Sequence, residues 1–362
     1  MLDFKEVTRT YTHDEAIKEA SRCLNCKVPF CKKNGCPAGL RINEFIACLK
    51  NDDVNGAYEI LMDGTNLSPI CSRVCDHRKQ CIGNCIRNKM KTQDPVHVGP
   101  LERYVMENKT IELKPVTTWS DKKVAIIGSG PAGITIAIIL ARYGYQVTIF
   151  EGKDKIGGVL RYGIPEFRLP KSVLDDIEYR HLELKGIKVR PNTMIGGAIT
   201  IEDLFRDGYK AIFVGTGVWR PNALHIKGET LGNVHFGINY LNNPDSYRLG
   251  SSVIVIGAGN AAMDVARTAL RKGVTDLTCF SITKEVAASK YEFEYAQLEG
   301  VNFEYNKRPV EIVDEGVIFI DVIENEDGTF TDVEGTEKLY KSDSVIISIS
   351  QGPQSNLVNT TK

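Results

Sequence analysis

Lys123-Val-Ala-Ile-Ile-Gly-Ser-Gly-Pro-Ala-Gly133 is the stretch that decides the fold. A short apolar run meets Gly128, Gly130 and Gly133 at G-x-G-x-x-G spacing, with Ser129, Pro131 and Ala132 between them. The first glycine permits a tight turn, and the second lets backbone approach a pyrophosphate. The third lets the next helix pack closely on the strand, and that helix turns its N-terminus toward phosphate charge. Ala132 to Tyr143 carries the helical pattern, and Gln146 to Phe150 is a second strand. Glu151 closes that strand about 20 residues after the glycines, where a carboxylate can accept from ribose hydroxyls. Glycines alone would be an ordinary turn; strand, turn, helix, strand and acid together predict a dinucleotide-binding βαβ unit. Gly157-Gly158 adds a second point of backbone approach, typical of flavin-binding proteins with two dinucleotide folds.

The same grammar returns about 130 residues later. Ser252 to Ile256 is a strand, Gly257-Ala-Gly259-Asn260-Ala-Ala262 the turn, Ala261 to Arg271 a helix and Leu277 to Ser281 the next strand. This is the natural place for a nicotinamide dinucleotide. Its second strand ends in Phe280-Ser281-Ile282-Thr283-Lys284, without an acid for a 2′-hydroxyl or an arginine pair for a 2′-phosphate. Ser281 and Lys284 are the candidates to help a phosphate, so both NADPH and NADH stay in play.

At 362 residues the chain predicts more than one domain. Its net charge of −1 argues against a chain-wide role in binding nucleic acid or anionic membranes. The most apolar segment, Val124 to Phe150, is interrupted by glycines, Pro131 and Arg142, short of the ~20 apolar residues a membrane span requires. No secretory leader is read at the N-terminus, so the expectation is a cytoplasmic protein.

Nine of the ten cysteines lie between Cys23 and Cys85, which in a reducing compartment favours metal or cluster ligation over disulfides. The groups are Cys23-x2-Cys26-x4-Cys31-x4-Cys36-Pro37 and Cys71-x3-Cys75-x5-Cys81-x3-Cys85. Structural zinc usually takes two C-x2-C pairs, and only one is present, whereas closely successive cysteines followed by proline suit iron–sulfur clusters. Between them, His13 to Cys23, Ile42 to Lys50 and Val54 to Met62 read as helices, giving a small helical module. Arg73, Arg78, Lys79, Arg87, Lys89 and Lys91 form a basic run, read first as solvated surface and second as a docking face. Lys114 to Asp121 reads as a linker. No nucleophile, triad or paired carboxylates stand out, and no catalytic side chain is assigned.

Taken with Arg22-Cys-Leu-Asn-Cys26, Leu101-Glu-Arg-Tyr104 and Gly157-Gly-Val-Leu-Arg-Tyr-Gly-Ile-Pro-Glu-Phe-Arg-Leu-Pro170, these motifs resemble the glutamate synthase small subunit family of FAD and iron–sulfur NAD(P)H oxidoreductases. The resemblance implies an α/β chain: an N-terminal α-helical iron–sulfur domain (1–118) and two Rossmann-like domains with parallel sheets, for FAD (121–249) and NAD(P) (250–347). Residues 348–362 would begin a return to the flavin fold that the sequence, ending at Lys362, does not complete. It implies one [4Fe–4S] cluster on Cys23, Cys26, Cys31 and Cys85, and a second on Cys36, Cys75 and Cys81 with Glu102 as fourth ligand. Cys48 and Cys71 would then be buried thiols. The implied activity is electron input from NADPH or NADH through FAD and two clusters to a partner, either a glutamate synthase large subunit or a ferredoxin-linked complex. A flavin-deficient electron-wiring subunit is the rival from another class. One departure is noted: Phe280-Ser281-Ile282 stands where the family often carries Tyr-Arg-Arg.

Overall fold

The computed structural model describes residues 2–90, 93–111, 116–183, 186–354 and 357. Lys91 of the basic run, and Lys114 and Pro115 of the linker, lie outside the described residues. So do Ser355, Asn356 and residues 358–362 of the segment expected to return toward the flavin fold.

Contacts divide the chain into two compact units. One unit runs from Lys5 to Gly158 and from Glu166 to Gly215, and it holds both the cysteine module and the first glycine loop. In its module the helices His13–Ser21, Ile42–Lys50, Val54–Gly64, Ser68–Val74, Ile86–Lys89 and Val98–Asn108 surround a core that includes Phe45, Leu49, Leu61 and Leu101. Thr12 starts the first of them with a capping box: its hydroxyl accepts from the Glu15 amide (3.3 Å), and the Glu15 carboxylate accepts from the Thr12 amide (2.9 Å). No strand occurs among the described residues before Lys123. Arg142 ties the module to the adjoining fold by donating to the Met62 carbonyl (2.9 Å).

The adjoining fold is a four-stranded parallel sheet in the order Lys188–Arg190, Gln146–Phe150, Lys123–Ile127, Tyr209–Val214. Four successive residues of Lys123–Ile127 and of Gln146–Phe150 are buried, as a sheet covered on both faces requires, so these strands read as continuous apolar runs. The helix Pro131–Arg142 joins them.

The other unit contains Asp3, Phe4, Val159–Pro165 and the described residues 216–354 and 357. Its five-stranded parallel sheet runs Val234–Phe236, Ser344–Ile347, Ser252–Ile256, Asp276–Phe280, Asn302–Glu304. The helix Asn260–Arg271 joins the two strands expected to flank it. Beside the sheet is an antiparallel layer that the sequence reading did not foresee, built from Lys307–Val313, Gly316–Glu324, Phe330–Asp332 and Lys338–Lys341. Phe280 stacks on Phe319 of this layer with ring centroids 4.0 Å apart.

Arg267, Arg271, Glu292 and Glu299 form a buried ion network that fastens Asn260–Arg271 to the helix Lys290–Leu298. Arg271 also donates to the carbonyl of Asp3 (2.7 Å).

Candidate functional site

Cys23, Cys26, Cys31 and Cys85, although up to 62 residues apart in sequence, line one cavity together with Phe30, Ile42, Ile46 and Val98. The apolar walls favour neutral thiols: burial pushes the Cys23 thiol up, and burial with Cys23 and Cys85 pushes Cys31 up to about 11. Thiolates gathered here therefore need a cationic centre to hold them. Among the described residues no three His, Cys, Asp or Glu side chains crowd round one point as a single ion requires. The four cysteines line a shared cavity, a setting compatible with cluster ligation.

A second group collects Cys36, Cys71, Cys75, Cys81 and Glu102, whose charges act on one another. Glu102 is only 4 % exposed, and its Oε1 has no hydrogen-bond partner. Burial pushes its carboxyl up to about 8. A buried, orphaned carboxylate oxygen facing cysteines fits an anionic ligand awaiting positive charge. The Cys71 thiol hydrogen-bonds to Cys75, which holds Cys71 up and Cys75 down. That bond suits Cys75 as the thiolate and Cys71 as its donor. Cys71 and Cys48 are each only partly buried.

The basic run does not form one face. Arg73 is buried in ion pairs with Glu6 (3.0 Å) and Glu107 (2.5 Å), and Arg87 donates to the carbonyls of Asp94 and Arg22. Arg78, Lys79 and Lys89 are exposed, and the Lys89 ammonium lies over the Phe30 ring.

At the first glycine loop, Gly128 has φ 97°, a value glycine adopts freely, and its amide donates to the carbonyl of Phe150 (2.8 Å). A Cβ on Gly133 would lie 2.0 Å from the Gly128 oxygen, which is the close helix–strand contact expected there. A Cβ on Gly130 would meet nothing within 4 Å, so open space fronts the N-terminus of Pro131–Arg142, where no side chain caps the helix. Amides without partners beside open space suit a pyrophosphate. Gly158, at φ 52°, packs so close that its Cβ would stand 2.8 Å from the Gly130 Cα, bringing the second glycine pair onto the first loop. The Glu151 carboxylate accepts from the amides of Ser129 (2.9 Å) and Lys153 (2.8 Å) and from the Ser129 hydroxyl. One of its roughly four lone-pair sites remains for a ribose hydroxyl. Lys153 acts here through its backbone, which residue type does not reveal, and Ser129 through both its amide and its hydroxyl.

The second loop repeats the geometry. The Gly257 amide donates to the carbonyl of Phe280 (2.9 Å), a Cβ on Gly259 would meet nothing within 4 Å, and Asn260–Arg271 has no side-chain cap. Ala262, fully buried, stands in the third small position. Asn260 is not aimed at open space: its Oδ1 accepts from the Ser289 amide (2.8 Å), and Ala288 donates to the Ala258 carbonyl (2.9 Å). These bonds pin the segment after the second strand against the glycine loop. Ser281 is buried and Lys284 exposed.

Two family models match the chain. Residues 1–113 match the family described as dihydropyrimidine dehydrogenase domain II, 4Fe–4S cluster, and residues 97–206 and 122–362 match the pyridine nucleotide-disulphide oxidoreductase family. The chain is 31 % identical over 328 residues to the glutamate synthase [NADPH] small chain of Azospirillum brasilense, covering 85 % of this chain and 67 % of that one. It is 34 % identical over 323 residues to the NAD-dependent dihydropyrimidine dehydrogenase subunit PreT of Escherichia coli, covering 87 % and 77 %. FprA of Mycobacterium tuberculosis in complex with NADPH shares the fold, with TM-score 0.54 at 17 % identity over 64 % of this chain and 71 % of that one. No helix among the described residues is long and apolar enough to cross a membrane. The chain therefore belongs to the glutamate synthase small chain family, NAD(P)H-dependent oxidoreductase subunits whose cofactors are FAD and 4Fe–4S clusters.

Proposed function

We propose that this chain is the electron-input subunit of a larger redox complex, oxidising NAD(P)H and passing electrons to a partner of the glutamate synthase large-subunit kind. The cavity ringed by Cys23, Cys26, Cys31 and Cys85 carries the reading, because side chains so far apart in sequence have no packing reason to present four thiols to one space. Cys36, Cys75, Cys81 and Glu102 would hold a second cluster, with Cys71 donating to the Cys75 sulfur. Bound at the first loop, FAD supplies the exchange between a two-electron hydride donor and one-electron carriers. Gly130 and Gly158 clear the approach to its pyrophosphate, the uncapped helix amides bind that charge, and Glu151 orients the ribose. At the second loop, Gly257, Gly259 and the amides beginning Asn260–Arg271 would take the nicotinamide dinucleotide in the same way. No side chain is asked for a proton in the hydride step.

Anaerobic purification with iron, sulfide and flavin quantitation tests the reading. About eight iron atoms per chain are expected for two four-iron clusters, with one FAD. A colourless, iron-free protein from cells able to assemble such clusters would refute it. Glu102→Ala should remove or alter one cluster's spectrum while leaving the Cys23 group's intact. With the co-purified partner, NAD(P)H oxidation should depend on glutamine and 2-oxoglutarate; ferredoxin-dependent turnover in its place would assign the partner to the ferredoxin-linked class. Absence of dye reduction by NAD(P)H in the purified chain would leave only the flavin-deficient electron-wiring role.

A further inference from the structure

We propose that the turn Ser281-Ile282-Thr283 makes the second loop selective for NADH over NADPH, because its two hydroxyls have already spent their hydrogens on each other and on the backbone. The inference rests on the reading that a nicotinamide dinucleotide binds at this loop. Its location follows from an internal equivalence. Phe150 accepts from Gly128 and is followed by Glu151, while Phe280 accepts from Gly257 and is followed by Ser281. Ser281 thus opens the turn at the point where such folds meet the adenosine ribose.

The hydrogen count is closed. The Thr283 hydroxyl lies 2.6 Å from the carbonyl oxygen of Glu285, which can only accept, so the single Thr283 hydrogen points there. The Ser281 hydroxyl lies 2.9 Å from the Thr283 oxygen, and its own hydrogen must make that bond. The Thr283 amide in turn donates to the Ser281 oxygen (3.3 Å). Both oxygens keep a lone pair, and neither keeps a hydrogen to give. A ribose 2′-hydroxyl donates and is matched by such acceptors. A 2′-phosphate only accepts, and these oxygens would repel it. Nearby cations do not offset this. Lys284 is the one cation between Asp276 and Ser289, and Glu285 follows it directly. Lys307, whose amide donates to the Ser281 carbonyl (3.0 Å), has its ammonium on Asp321. The Arg308 guanidinium is on Asp332.

Titration calorimetry of the purified, flavin-loaded chain with NADH and NADPH in turn tests this, with steady-state dye reduction as a second readout. NADH is expected to bind roughly tenfold more tightly, the scale of one matched against one mismatched hydrogen bond. Thr283→Val should release the Ser281 hydrogen, remove one acceptor and bring the two affinities together. Ile282→Arg, which leaves both hydroxyls in place, should raise NADPH affinity by adding a guanidinium. Equal or tighter binding of NADPH by the unaltered chain overturns the proposal, as does an affinity ratio that neither substitution moves. If neither nucleotide binds, the reading of the loop as a nicotinamide site is what falls, and the selectivity claim falls with it.

Discussion

The two glycine loops share a backbone and differ in what surrounds it. In each, a strand of five residues leads to a glycine whose amide bonds a phenylalanine carbonyl on the neighbouring strand, and a twelve-residue helix begins uncapped. The first loop then closes on itself. Glu151 collects the Ser129 and Lys153 amides, Gly158 presses on Gly130, and Gly133 lies under the Gly128 carbonyl. The second is looser at those places, with Ser281 for Glu151 and Ala262 for Gly133, and is braced from outside by Asn260 and by the buried arginines at the far end of its helix. A tight, pre-shaped cradle suits a cofactor that stays, and an externally braced one suits a nucleotide that binds and leaves.

Substitutions that exchange the features of the two loops test this difference. Gly133→Val should have the largest effect, since a Cβ 2.0 Å from the Gly128 oxygen cannot be accommodated without moving backbone. Loss of about 4 kcal/mol or more is expected, read as absent flavin and a collapsed thermal transition. Glu299→Ala should cost about 3–5 kcal/mol, because it leaves two buried guanidinium groups short of a partner. Burial alone would raise the Glu299 pKa, but its hydrogen bonds to Arg271 and Arg267 hold it below the ordinary value. Its stabilisation is therefore complete above the unfolded carboxylate value near pH ~4 and is lost as pH falls through the lower folded value. Melting curves of the natural chain should fall across that window, and those of Glu299→Gln should be flatter. Glu151→Ala should cost roughly 2–4 kcal/mol by stranding three donors, with flavin loss on gel filtration. Ala262→Gly, which makes the second loop resemble the first, should cost only about 1 kcal/mol of helix propensity and leave nucleotide binding intact. Equal penalties at positions 133 and 262 would erase the proposed distinction.

Much of this was legible in the sequence because the decisive elements are local. The strands Lys123–Ile127 and Ser252–Ile256 are continuous apolar runs beside glycine turns, and the structure ends them where that reading does. The antiparallel layer was not legible. Its strands mix buried Val317, Phe319 and Ile320 with exposed charges, and its pairing rests on turns such as Asn325–Gly328 whose meaning depends on what each strand packs against. Cysteine spacing announced ligation, the resemblance grouped Cys85 with Cys23, and the fold puts both on one cavity, which spacing alone could not do. Glu102 came from resemblance alone; nothing in a helix of mixed residues marks a carboxylate as buried and orphaned. The division of labour inside the basic run was hidden for the same reason, since Arg73 and Arg78 look alike until one is seen paired with Glu6 and Glu107.

The bond from Arg271 to the carbonyl of Asp3 has a temporal side. Asp3 finds its anchor only after residue 271 and its partner Glu299 have been made. At ~5–20 residues per second this is a wait of roughly 15–60 s. Throughout that interval the helical module can fold and recruit iron while Asp3 stays unclaimed. That order of synthesis leaves time for the module to assemble before Asp3 is tied to Arg271.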